Sequence, residues 1–136
     1  MSHWAEKYIG KPWANGACGP DAYDCHGVVR AAYQDRLDIS LPVVDTNALS
    51  ALSVARAMRH YDYSDWQEIV RPERDFDVVE MSLNKRPHHV GIYLDLDGGG
   101  VLTSVEGAGV IFQTLGSLKR HGWNITNVYR RKACKL

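Results

Sequence analysis

The sequence has no surplus of charge. Lysine plus arginine number 16 and aspartate plus glutamate number 16 in 136 residues. Nucleic-acid binding announces itself by a basic excess, so no nucleic-acid partner is expected. Long apolar runs are missing too. None approaches the ~20 residues that a bilayer-crossing helix needs, which argues against membrane insertion. The opening residues Met1 to Lys7 carry no charged-then-apolar export signal, so work outside the producing cell would require delivery by something else. Cysteine is scarce: Cys18, Cys25 and Cys134 are too few, and odd in number, for a disulfide framework. At least one is therefore buried filler or a reactive thiol. There is no C-x-x-C or H-E-x-x-H spacing, which disfavours a zinc site built from Cys18, Cys25, His26, His88 and His89. No metal or cofactor is expected. Asp97-Gly98-Gly99-Gly100 lacks the lysine and following helix of a phosphate loop. Asn124-Ile125-Thr126 matches a glycosylation acceptor without a secretory signal to give it meaning. Internal repeats and low-complexity tracts are absent.

What is present is an ordinary globular mix, 45% apolar and 24% charged, of a length that suits one domain over residues 1–136, with 132–136 as a frayed tail. Ser2 to Ile9 reads as a short helix closed by Gly10 and Pro12. Trp13 to Tyr23 reads as loop. Asp24 is a good N-cap for a helix from Cys25 to Asp35, with Val28, Val29, Ala32 and Tyr33 at helical spacing. Thr46 is placed to cap a second helix, to about Arg59. The second half turns to strands at Asp77–Met81, His89–Leu96, Val101–Val105, Val110–Gln113 and Asn127–Arg131, with a short helix at Ser117–His121. Helices followed by an antiparallel meander predict an α+β fold.

The candidate chemistry begins at Tyr23-Asp24-Cys25-His26-Gly27. A cysteine in the first turn of a helix lies near the positive end of the macrodipole, which favours thiolate and is expected to lower the thiol from its free value near ~8.5. Gly27 leaves room for another backbone to approach. The structural alternative is a buried cysteine packing under a helix. A reactive thiol needs a base, and the chain offers His3, His26, His60, His88, His89 and His121. His88 and His89 open the strongest strand candidate. Alternation puts them on opposite faces, so only one can face the helix that carries Cys25.

Asp24-Cys25-His26-Gly27 opening a helix, followed by His89-Val90-Gly91-Ile92-Tyr93 on a strand, resembles the NlpC-type family of cell-wall cysteine peptidases. Tyr8 to Trp13 and Asp77-Val78-Val79 fit the same pattern, so the resemblance runs from about Trp4 to Arg130. It implies a papain-like α+β core, with N-terminal helices carrying the nucleophile packed on an antiparallel sheet. It also implies hydrolysis of peptide bonds in the peptidoglycan stem, with Cys25 as nucleophile and His89 as general base. The family's third polar residue falls on Thr103. This hydroxyl can accept from imidazole but cannot stabilise imidazolium as a carboxylate would; Glu106 is a nearby substitute. Trp13 stands near a place where relatives carry a tyrosine facing the substrate, and its other reading is core. His26 is expected to line the substrate cleft. Asp24 is expected to cap its helix, with a substrate contact as the second reading.

Val28 to Tyr33, Ile39-Ser40-Leu41-Pro42 and Val105 to Val110 look like family members encoded among bacteriophage tail genes. That branch implies tail-tip or hub proteins as partners, residence in the virion tail after synthesis in the host cytoplasm, and action on the wall in the periplasm. Two rivals stand beside the peptidase. One is a structural tail-tip adaptor with weak or no catalysis, which Thr103 favours. The other is an acyltransferase or amidase using the same thiol chemistry.

Overall fold

The computed structural model describes residues 3–41, 64–82 and 89–132. The expected helix from Thr46 and the residues His60, His88 and Cys134 lie outside them. The N-terminal helix is shorter than expected, a 3₁₀ turn over Trp4–Lys7. Helix α1 (Cys25–Leu37) runs two residues past the expected Asp35 and stops where Asp38 turns left-handed (φ 55°). Strands β1 (Trp66–Ile69), β2 (Val78–Ser82), β3 (His89–Leu94), β4 (Gly100–Val105) and β5 (Gly109–Thr114) follow, then helix α2 (Leu115–Arg120) and strand β6 (Asn124–Arg131).

The six strands form one sheet in the order β1-β6-β2-β3-β4-β5, every neighbouring pair antiparallel. The mixed α+β architecture expected from the sequence is what folds. β1 has no counterpart among the expected strands. Its residues Trp-Gln-Glu-Ile show no alternation, and its order comes from pairing with the C-terminal half of β6.

The central strands β2, β3 and β4 are buried on both faces. Val90, Ile92, Leu94 and Leu102 meet Val28, Val29, Ala32 and Tyr33 of α1, which are 0–5% exposed. This is the stripe the helical spacing identified. On the opposite face Val79, Met81, Tyr93, Val101 and Val128 pack under Leu118 of α2 and Trp123. The N-terminal segment is pinned to the outer strand by reciprocal bonds, Gly10 N–H to Val110 C=O and Val110 N–H to Lys11 C=O, both 2.9 Å. The Ser104 hydroxyl donates to Tyr23 C=O at 2.6 Å. Together these contacts hold the loop before α1 against β4 and fix where the helix begins.

Candidate active site

Asp24 builds the head of α1. Its Oδ1 accepts from Gly27 N–H at 2.6 Å, the expected cap, and its Oδ2 accepts from Gly16 N–H at 2.9 Å. The carboxylate thus ties the preceding loop to the helix as well as capping it. Gly27 is required by the same closure: a Cβ there would lie 1.9 Å from Ala17 O. The backbone that approaches Gly27 is the chain's own loop.

Cys25 sits in the first turn and is 3% exposed. The expectation of a lowered thiol is overturned. Burial pushes Cys25 up to about 12, and the Asp24 carboxylate adds to the rise. The backbone N–H of Val90 and those of His26 and Cys25 oppose it without prevailing. The reason is one of magnitude: desolvating a thiolate costs more than one helix end and a few N–H dipoles return.

The β3–β4 ladder runs from Leu94/Gly100 to Ile92/Leu102 and goes no further toward His89. Val90 therefore points its N–H and C=O into an opening between the two strands. The N–H meets the Cys25 sulfur, and the C=O accepts from the Thr103 hydroxyl at 2.7 Å. Thr103 Oγ1 also lies 2.8 Å from His89 Nε2. A hydroxyl has one hydrogen, and with that hydrogen given to Val90, Thr103 must accept from His89 Nε2–H. The two contacts assign the tautomer and make Nδ1 the basic nitrogen of the ring. Glu106, the other candidate support, is exposed on the β4–β5 turn.

His89 does not share the α1-facing side of β3. Its register partner Met81 and its same-face neighbour Tyr93 belong to the cluster on the opposite side. Its ring stacks on Trp123, centroids 4.9 Å apart and planes tilted by 33°. The sheet opening, rather than a shared face, brings the Cys25 and His89 segments together. Sequence reasoning missed Trp123. Its signal was the pair Gly122-Trp123 after a short helical run. Gly122 is left-handed (φ 86°), its N–H bonds Lys119 C=O, and Trp123 N–H bonds Leu118 C=O. This is a helix stop that packs the residue after glycine onto the last turn.

His26 follows Cys25, half-buried overall, with its Nε2 covered and without a hydrogen-bond partner among the described residues. Burial holds it below its ordinary value, Asp24 working against that and Arg30 with it. Trp13 is half-buried in the loop, its backbone bridging to Tyr23, and belongs to none of the core clusters. Among the described residues no three His, Cys, Asp or Glu side chains converge to hold a metal ion.

Fold and site together define a papain-like α+β protein, with a cysteine heading a helix against a strand that opens with histidine. Residues 10–131 match the NlpC/P60 family, and the chain belongs to it. Solved structures agree in fold. A protein similar to lipoprotein, of the NLP/P60 family, from Staphylococcus aureus superposes with a TM-score of 0.63 at 24% identity, over 96% of this chain and 39% of its own. NlpC1 of Trichomonas vaginalis gives 0.61 at 21%, over 96% and 42%. The NlpC/p60 domain of the peptidoglycan hydrolase SagA gives 0.61 at 19%, over 93% and 92%. The chain thus spans about two fifths of the length of the first two. Comparison with curated protein sequences finds no match.

Proposed function

We propose that this protein is a cysteine endopeptidase that hydrolyses peptide bonds of the peptidoglycan stem. The observation that carries the proposal is the contact set at the β3–β4 opening: Cys25 against Val90 N–H, and Thr103 bridging Val90 C=O and His89 Nε2. Membership of the NlpC/P60 family and likeness to a peptidoglycan hydrolase domain support the substrate class. In the reaction His89 Nδ1 takes the Cys25 proton as the sulfur bonds to the amide carbon. The C–N bond then breaks as His89 returns the proton to the leaving amine, leaving a thioester. Water, deprotonated by His89, displaces the thiol and releases the carboxylic acid. The Cys25 backbone N–H is a candidate oxyanion donor. His26, half-buried beside Cys25 in sequence, and Trp13, half-buried in the loop before α1, would border the stem peptide, while Asp24 holds the helix head between them.

The setting we propose is a bacteriophage tail tip, where the enzyme would open the wall locally while bound to tail or hub proteins. The segments Val28–Tyr33 and Ile39–Pro42 support this by their likeness to tail-encoded relatives. The rival reading, an adaptor of low activity, draws on two facts. Thr103 brings no negative charge to His89, and the resting Cys25 is held as a thiol.

The test is digestion of purified peptidoglycan by wild type and Cys25→Ala, with fragments read by mass spectrometry. New stem-peptide termini made by wild type alone are expected. Products from Cys25→Ala would remove the nucleophile assignment, and none from either protein would favour the adaptor.

A further inference from the structure

We propose that Trp123 is a positioning residue for His89, its indole holding the imidazole against Thr103 and favouring the charged ring that forms during the reaction. The proposal rests on the cysteine-hydrolase reading of the site. Trp123 is placed to add to what the Thr103 contact supplies. When Nδ1 accepts the Cys25 proton, both ring nitrogens carry hydrogen and the ring carries a full positive charge. Thr103 accepts one N–H but offers only a hydroxyl dipole, its own hydrogen being committed to Val90 C=O. The ring's face, however, lies on Trp123 at 4.9 Å with a 33° tilt. An indole has a negative face, the strongest among aromatic side chains, and attracts a cation within about 6 Å of its centroid.

The indole is held independently of His89. Gly122 terminates α2, Trp123 N–H bonds Leu118 C=O, and the side chain packs on the cluster containing Leu118 and Met81. Met81 is the register partner of His89. A rigid aromatic thus covers the base on the face away from α1 and restrains its rotation. Among the described residues, titratable groups on the surrounding elements include Asp24, Cys25 and His26 at the head of α1, Glu80 on β2 and His121 beside the α2 stop. Cys25 is alanine in every protein titrated below and the other groups are retained in all of them, so their effects cancel in the difference.

The experiment is an NMR titration of the His89 imidazole in the Cys25→Ala protein, with Trp123 intact, Trp123→Phe and Trp123→Leu. Trp123→Leu is expected to lower the His89 midpoint by roughly half a unit, and Trp123→Phe by less, because benzene has the weaker negative face. In the active protein Trp123→Leu should cut kcat roughly threefold to tenfold with little change in KM. If Trp123→Leu fails to fold, Trp123→Phe and the fluorescence of Trp123 decide. Quenching of the indole on protonation should follow the His89 midpoint and vanish in His89→Ala. An unchanged or raised midpoint in the folded variants, or fluorescence indifferent to His89, overturns the proposal. The titration uses no substrate. A shifted midpoint with no digestion products would uphold the contact and count against the peptidase reading alone.

Discussion

At the scale of single residues, the site is governed by the cost of charge. Cys25 at 3% exposure rests as a neutral thiol, because burial outweighs the helix end and the surrounding N–H groups. In the proposed reaction this corresponds to a thiolate made as His89 withdraws the proton, rather than a preformed ion pair. Alkylation makes this measurable. In a Cys18→Ser, Cys134→Ser background, the rate of Cys25 with iodoacetamide should lag an ordinary thiol at neutral pH. It should still be rising above pH ~9, since a raised thiol ionises later than the free group near ~8.5. A rate that levels off by pH ~8 would show a low-value thiolate and restore the expectation drawn from helix position. Thr103 illustrates the same cost from the other side: it fixes the tautomer of His89 without placing a second charge in a buried opening.

At the scale of elements, the start of α1 depends on close approach between a loop and a helix. The head of α1 is locked by Asp24, whose two oxygens bond Gly27 N–H and Gly16 N–H, and by Asp24 N–H to Ala17 C=O at 2.9 Å. The missing Cβ of Gly27 makes room for Ala17 O. Gly27→Ala is expected to destabilise the protein by about 2–3 kcal/mol, the cost of overpacking against backbone that cannot swing aside. It should also displace the loop that carries Trp13. Urea unfolding measures the first effect. An unchanged midpoint would mean that the loop is not held against α1 in solution. The stop of α2 at Gly122 works similarly, turning a local backbone preference into the placement of an indole on His89.

At the scale of the molecule, the sheet needs an anchor beside β2, and Asp77 supplies it at 1% exposure. Its carboxylate accepts from Arg130 Nε at 2.8 Å and Nη2 at 2.9 Å, and from Glu73 and Arg74 N–H at 3.0 and 2.9 Å. The loop into β2 is thereby bound to the end of β6. Burial alone would raise Asp77, but the bonds from Arg130, Glu73 and Arg74 outweigh it and hold the carboxyl below its ordinary value. A depressed folded value means that the contribution to stability is present above the ordinary carboxylate range and is lost as pH falls through the depressed value. Asp77→Asn should cost about 3 kcal/mol near neutrality, by leaving the half-buried Arg130 with only the longer 3.7 Å contact to Glu73 and no buried carboxylate. The gap from wild type should narrow in acid. A gap constant with pH would show that the pair is solvated and contributes little.

Much of this was written in the chain order. The Asp24 cap, the α1 stripe of Val28, Val29, Ala32 and Tyr33, the β-rich second half and the α+β class follow from spacing and local propensity, which act between near neighbours. The candidate residues Cys25, His89 and Thr103 were marked instead by resemblance to a family motif. Other features arose only on folding. β1 exists because β6 offers it an edge. The high thiol value of Cys25 reflects burial by segments distant in sequence. The face taken by His89, the hydroxyl bridge of Thr103 to Val90 and the stacking of Trp123 all depend on where the β3–β4 ladder ends. Local sequence sets which groups can ionise, cap or turn. Desolvation and long-range register, which sum over the whole packed chain, decide what those groups meet.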